Sequence, residues 1–231
     1  MSVVVPTYQR RAELPRFLEA LLEEPGLHEV VIAVDGSTDG TVQWLQEQAV
    51  RDPRIHVLDL PNRGVGAARQ AGIEAATGDV LLLMDDDVIA ERGLVCGHAR
   101  HHVDGGRRLV LGYAPNEWRH LSAGRRGIAL IYRRAYESHC ARYVTDPAFV
   151  LHGLWAGNLS LPHRDFLAIG IENLEVARGQ DDREFGIRCL KAGVEGVFDP
   201  TLRARHEYSR SLAQFRRDMR LQGQSRKMIH Q

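Results

Sequence analysis

The chain has 231 residues, of which 44% are apolar and 26% charged, and its formal net charge is zero. That length suits one α/β domain or two small ones and is enough for a sizeable core, and zero net charge excludes a global basic field for nucleic acid. No apolar run reaches the roughly 20 residues of a membrane span.

Taken in chain order, SVVVPTYQ reads as a buried strand of β-branched residues stopped by Pro6. RAELPRFLEALLEE has helical periodicity, with Leu14, Phe17, Leu18, Leu21 and Leu22 on one face. A second buried strand, residues 30–34, breaks into the polar turn DGSTDG. TVQWLQEQAVRD is a helix that Asp39 or Thr41 caps. RIHVLDL is a third strand, NRGVGAARQAGIEAATGD a loop feeding a small-residue helix, and DVLLLMDDD a fourth strand. Beyond residue 95 the order is less regular. HARHHVDGGRR is a loop or helix end and LVLGYAP a strand. GIALIYRRAYESHCARYV is helical, and LWAGNLSLPHRDFLAIG is strand, turn and helix start. QDDREFGIRCLKAG is a helix stopped at Gly193, VEGVFDP a strand, and RSLAQFRRDMRLQGQSRKM an arginine-rich helix.

Strands alternating with helices predict an open, mainly parallel sheet with helical crossovers. Runs such as VVV, VVIAV and VLLLM do not alternate, which is the pattern of strands covered on both faces. Three strands end in polar tips: PTYQ, DGSTDG and DDD. Ligands of such sheets bind beyond the carboxyl ends of the strands, so the three tips are expected to line one crevice.

The residues at those tips are chemically pointed. Asp85, Asp86 and Asp87 follow a buried apolar run and repel one another. They could cap a helix. They could instead hold a hard divalent cation, Mg²⁺ or Mn²⁺, that keeps open positions for a substrate's phosphates. Alternate side chains of an extended turn would place Asp85 and Asp87 together, with Asp87 the first choice for coordination. Asp35, followed by Gly36, ends a strand where a carboxylate could accept from a nucleobase N–H. RGVGAAR is not a dinucleotide loop: Arg69 stands where the third glycine would fall, available to a base or phosphate through its fork of donors. Asp181 and Asp182 open a helix, where carboxylates are favourable; the alternative is a general base for an acceptor hydroxyl. His206 sits among Arg203, Arg205 and Arg210 in a basic cluster.

VVVPTYQR, VDGSTDGT, NRGVGAARQAGIEAATGDVLLLMDDDV, WAGNLSLPHRDFLAIG, GQDDREFGIRCLKAG and RARHEYSRS, in this order, resemble the family 2 glycosyltransferases, inverting enzymes of the GT-A fold. The resemblance spans nearly the whole chain. It implies a three-layer α/β/α domain with a mixed, mainly parallel central sheet. Residues 1–95 would form the nucleotide-sugar-binding half and residues 96–231 the acceptor-binding half. It assigns donor contacts to Pro6, Thr7, Tyr8, Asp35, Gly36, Arg69, Asp85 and Asp86, and a Mn²⁺ or Mg²⁺ site to Asp85 and Asp87, completed by His206. Acceptor contacts fall to Trp155, Gly157 and Asn158, and the catalytic base to Asp182, with Asp181 beside it as a competitor. The donor expected is a nucleoside-diphosphate sugar, a UDP-sugar by preference, and the acceptor a saccharide, a lipid-linked molecule or a small molecule. One departure concerns the acceptor side: the chain reads IGIENLE where the family often has Gly-Gly-Phe followed by Asp or Glu.

Two other readings compete. A sugar nucleotidyltransferase would share the sheet and the carboxylates but carry a glycine-rich N-terminal loop, which MSVVVPTYQRR lacks. A nucleotide-sugar-binding module without catalysis would have little use for intact DDD and QDD clusters. Cys96, Cys140 and Cys189 form neither a CxxC pair nor a secreted disulfide framework, and the N-terminus lacks a signal-peptide pattern. The expected location is the cytoplasm. The arginine-rich C-terminal helix offers peripheral contact with the inner face of the plasma membrane.

Overall fold

The computed structural model describes residues 1–118, 121–171, 181–207 and 216–217. Its centre is an eight-stranded sheet in the order β3-β2-β1-β4-β7-β6-β8-β5. Strands β1 (Ser2–Thr7), β2 (Glu29–Asp35), β3 (Ile55–Leu60) and β4 (Val80–Met84) all run parallel, joined by α1 (Leu14–Leu22), α2 (Thr41–Arg51) and α3 (Val65–Ala75). Every residue of β1 and β2 is buried, as expected of strands covered on both faces. One apolar layer packs α1, α2 and α4 (Leu94–Arg100) on one face. The other layer packs α3, α5 (Ala123–Thr145), α6 (Phe149–His152), α7 (His163–Ile169) and α8 (Asp181–Lys191) on the opposite face. The result is the three-layer α/β/α arrangement with a mixed, mainly parallel sheet.

Local sequence explains several details. Pro6 does not end β1 but lies inside it: β1 pairs with β4 only as far as Val4, so at Pro6 that side of the ladder needs no N–H. Asp39, not Thr41, serves the start of α2, its Oδ1 accepting from the Thr41 N–H at 3.1 Å. In α1, Leu14, Phe17, Leu18 and Leu21 are buried, and Leu22 lies at the edge of the same layer. The start of α4 is held by buried Glu24, which accepts from the Gly93 and Val95 N–H groups at 2.9 and 3.0 Å.

The second half departs more from the sequence reading. β7 (Asn158–Pro162) runs antiparallel between β4 and β6 (Arg108–Tyr113). The strand read from VEGVFDP is longer: β8 runs Glu195–His206. Pro200 is accommodated because the β6–β8 register jumps between Leu111 and Tyr113, leaving an irregular stretch that needs no donor. Past it Leu202 and Ala204 are buried and Arg203 is exposed, the alternation of a half-buried strand. This extension pairs antiparallel with the short β5 (Val88–Ala90), setting His206 opposite Val88. Of the predicted C-terminal helix only Arg216 and Arg217 fall among the described residues; they are helical and exposed. No helix of the described residues is long and apolar enough to cross a membrane.

The small residues of α3 let it lie close on the sheet. A Cβ at Gly72 would fall 2.5 Å from the Val4 side chain. Gly72→Ala is therefore expected to push α3 outward, destabilise by about 1–3 kcal/mol and lower the melting temperature by roughly 3–10 °C. An unchanged melting temperature would show that α3 tolerates the added methyl.

Candidate active site

The tips of β1, β2 and β4 meet at the carboxyl edge of the parallel half. The Thr7 hydroxyl donates to Asp86 Oδ2 at 2.7 Å, and the Gln9 N–H, in a residue with φ of 55°, donates to Ser37 Oγ at 2.9 Å. Tyr8 is half exposed at the mouth. Asp35 is buried, and its two oxygens accept from the Arg63 and Gly64 N–H groups at 2.7 and 2.9 Å. It thereby ties the β2 tip to the loop entering α3. Gly36, with φ of 68°, would put a Cβ 2.7 Å from the Asn62 nitrogen, so that close approach requires glycine.

The three aspartates form a tight turn, closed by the Val88 N–H donating to the Asp85 carbonyl at 3.0 Å. Within the turn Asp85 and Asp87 meet different partners. Asp85 pairs with Arg69 at 2.5 Å. Asp86 accepts from Thr7 and lies 3.4 Å from Arg10. Asp87 lies 3.3 Å from Arg10 and 3.4 Å from His206 Nε2. Burial pushes the Asp86 carboxyl up to about 7, helped by the charges of Asp87 and Asp85 and opposed by Arg10 and the Thr7 hydrogen bond.

Arg69, buried on α3, is the junction. Its guanidinium meets Asp85 on one side and Asp182 on the other, the latter at 3.4 Å. Asp182 also accepts from the Ala156 N–H at 3.0 Å, and its side chain keeps 34% of its surface exposed. Asp181 is the first residue of α8; its side chain lies outside what the structure describes.

Gly157 joins the two halves. Its carbonyl accepts from the Asp85 N–H at 3.3 Å, and a Cβ on it would stand 2.9 Å from Asp85 Oδ2. A small cleft opens beside it, lined among others by Trp155, Tyr132, Tyr136 and His206. Trp155 donates its Nε1–H to the Tyr132 hydroxyl at 2.7 Å and packs edge-on against Tyr132 and Tyr136. The Asn158 amide is engaged inside the protein, with His98 and the Leu202 carbonyl. Pro6 is buried in β1 behind Thr7. The structure thus gathers Thr7, Tyr8, Arg69, the three aspartates, Gly157, Asp182 and His206 around one rim.

Two contributors were not singled out from the sequence. Arg10 spans Asp86 and Asp87; its only signal was a basic pair directly after the PTYQ tip. Tyr132 comes from α5, and no local pattern marks it, since its contacts with Trp155 and His206 are long-range. Among the described residues no three His, Cys, Asp or Glu side chains gather as a metal cage. Asp85 turns to Arg69, leaving Asp87 and His206 as the facing pair of donors.

The sequence model of the family described as "Glycosyl transferase family 2" matches residues 2–156. The chain belongs to this family. Among curated family relatives, the uncharacterized glycosyltransferase YfnE of Bacillus subtilis is 31% identical over 113 residues, 48% of this chain and 29% of that protein. An undecaprenyl-phosphate 4-deoxy-4-formamido-L-arabinose transferase of Pseudomonas aeruginosa is 38% identical over 94 residues, 38% of this chain and 28% of that protein. The chain therefore spans less than a third of the length of either relative. Among solved structures, the mannosyltransferase PcManGT of Pyrobaculum calidifontis, in complex with GDP-Man and Mn²⁺, superposes with a TM-score of 0.68 at 18% identity. That match covers 90% of this chain and 57% of the other. The fold of this family 2 chain is GT-A.

Because folding raises the Asp86 pKa from the ordinary carboxylate value of about 4, the folded state holds an extra proton between about pH 4 and 7. The contribution of this group to stability is therefore largest in acid and is lost as pH rises through 7. Carbon-13 titration of the Asp86 carboxyl is expected to show a midpoint near 7, and Asp86→Asn to remove that part of the pH dependence of melting. A midpoint near 4 would contradict the burial argument.

Proposed function

We propose that this chain is an inverting glycosyltransferase that moves a sugar from a nucleoside-diphosphate donor, a UDP-sugar by preference, to an acceptor hydroxyl. The observation that carries the reading is the Arg69 junction. One guanidinium holds the acidic turn on one side and a partly exposed carboxylate, Asp182, on the other. In this reading the two sides serve as a leaving-group site and a proton acceptor facing a single space at the strand ends.

In this reading Thr7, Tyr8, Asp35 and Gly36 receive the nucleoside along the tips of β1 and β2, and Arg10 and Arg69 face its diphosphate. Asp182, steadied by the Ala156 N–H and Arg69, takes the proton of the acceptor hydroxyl as that oxygen attacks the anomeric carbon. The attack comes from the side opposite the departing diphosphate, and a single in-line displacement inverts the centre. Trp155 and the aromatic cleft present the acceptor, and the mixed aromatic and polar lining suits a sugar.

A divalent cation fits the donor set of Asp87 and His206, an oxygen and an imidazole nitrogen set 3.4 Å apart at the rim. Two protein ligands are enough for an ion that also binds substrate phosphates and water. Such an ion, Mn²⁺ or Mg²⁺, would supply Lewis-acid stabilisation of the charge that grows on the departing diphosphate. The Mn²⁺ and GDP-Man of the superposed mannosyltransferase support this reading. The undecaprenyl-phosphate substrate named for the Pseudomonas relative supports a lipid-linked acceptor as one of the candidates, beside saccharides and small molecules.

Asp182→Asn is expected to lower transfer by about 10²–10⁴-fold while leaving affinity for the nucleotide diphosphate within a factor of about two, because the base touches the acceptor side. Calorimetric titration with UDP and GDP in Mn²⁺, paired with a turnover assay on a panel of nucleotide sugars, checks both halves. Unchanged turnover would remove Asp182 from the role. Asp87→Ala is expected to abolish the Mn²⁺ dependence of nucleotide binding; equal wild-type affinity with and without Mn²⁺ would remove the cation from the account.

A further inference from the structure

Behind the rim lies a second polar cluster, joined to the site through Asn158. β7 presents Leu159 and Leu161 to one apolar layer and Asn158 and Ser160 to the opposite face. There the two polar side chains meet His98 of α4 and His102 just after it. All four are buried, with exposures of 0% for His98 and Ser160, 2% for Asn158 and 7% for His102.

The hydrogen bonds in this cluster fix one another's direction. Asn158 Nδ2 lies 3.1 Å from the Leu202 carbonyl, which can only accept. The amide oxygen therefore faces His98 Nε2 at 3.0 Å, and that nitrogen must carry the proton. Burial, its largest influence, pushes His98 down to about 3 and His102 down to about 4, so both rings are neutral near pH 7. His98 Nδ1 is then an acceptor, and the Ser160 hydroxyl donates to it at 2.9 Å. Ser160 Oγ in turn accepts from His102 Nε2–H at 2.8 Å. The chain runs one way, from His102 through Ser160 and His98 to Asn158 and Leu202, and its open end is an acceptor, His102 Nδ1.

The last link crosses a strand. β6 lies between β7 and β8, and the Asn158 amide passes over it at Gly112. A Cβ at Gly112 would fall on that amide and lie 2.6 Å from the Leu202 carbonyl. Asn158 thus fastens β7 to β8 directly behind the rim. One residue before it, Gly157 accepts from the Asp85 N–H; two before it, Ala156 donates to Asp182. Four residues after Leu202, His206 faces Asp87.

We propose that His98 is a positioning residue for the active site: backed by Ser160 and His102, it holds the Asn158 amide across β6, and so holds residues 155–157 against Asp85 and Asp182. Of the cluster only Asn158 lines the aromatic cleft; the effect of His98, Ser160 and His102 passes through it. The consequence for transfer rests on the function proposed above, whereas the positioning itself can be measured without substrate.

The test compares the full chain with His98→Leu, which fills the space without polar groups, and His98→Gln, which can donate to Asn158 and accept from Ser160. Amide hydrogen exchange is read at Ala156 and Asp85, with β1 and β2 amides as the internal reference. His98→Leu is expected to speed exchange at Ala156 and Asp85 by about tenfold or more, while the reference amides change by less than about twofold. His98→Gln is expected to return Ala156 to within about threefold of the wild type. Wild-type exchange at Ala156 in His98→Leu, an equal increase throughout the sheet, or a His98→Gln variant no better than His98→Leu would each overturn the proposal. Nitrogen-15 spectra of the wild-type imidazoles test the same chain without any variant: both rings are expected as Nε2–H tautomers, and a protonated Nδ1 on His98 would overturn it. These outcomes are independent of whether UDP and Mn²⁺ bind, so failure of the transferase reading and failure of the positioning role are told apart.

Discussion

Four carboxylates, Asp85, Asp86, Asp87 and Asp182, gather at one edge of a largely apolar sheet, and their mutual repulsion is the constraint around which the site is built. Three cationic or ionisable partners answer it. Arg69 takes Asp85 and Asp182, Arg10 takes Asp86 and Asp87, and His206 faces Asp87. Each partner comes from a different element: α3, the segment after β1, and the end of β8. Removal of one partner would leave charge that burial makes costly, as the raised pKa of Asp86 already shows.

This arrangement assigns different work to the two halves of the molecule. The parallel half supplies rigid, doubly covered strands whose tips cannot shift without disturbing a close-packed core. The mixed half, β5 to β8, supplies the groups that close the site from the other side: Gly157, the Ala156 N–H and His206. The polar chain from His102 to Leu202 lies where these halves join, and it fixes geometry through direction of hydrogen bonding where the parallel half uses apolar packing. A buried polar network suits such a place, because a donor that must face an acceptor tolerates fewer alternative arrangements than two methyl groups do.

The parallel half was plainly legible in the sequence. Unbroken runs of Val, Ile and Leu, each ended by a polar tip, specify doubly covered strands and a common crevice, and residues 2 to 84 fold that way. The motifs were also brought to one rim. What could not be read locally was anything depending on pairing at a distance. The extension of β8 through Pro200 follows from a register jump opposite β6, and β5 exists only because β8 returns to meet it. The tight turn at residues 85–88, closed by a backbone bond, and the Arg69 partner of Asp85 likewise depend on contacts that DDD alone does not announce. Tyr132 reaches the cleft from a long helix whose apolar spacing is weak, and nothing local in the sequence marks the bonds that hold the Asn158 amide from behind. Asp181 and most of the arginine-rich C-terminal segment fall outside the side chains or residues that the structure describes.

The central claim is that the acidic rim, with Asp87 and His206 facing each other, receives the diphosphate of a nucleotide together with a divalent cation. A crystal structure of the chain with UDP and Mn²⁺ tests it most directly. The account predicts an ion bound between Asp87, His206 and the diphosphate oxygens, with the uridine lying along the tips of β1 and β2. A nucleotide bound elsewhere, or bound at this rim with no ion beside Asp87, would contradict it.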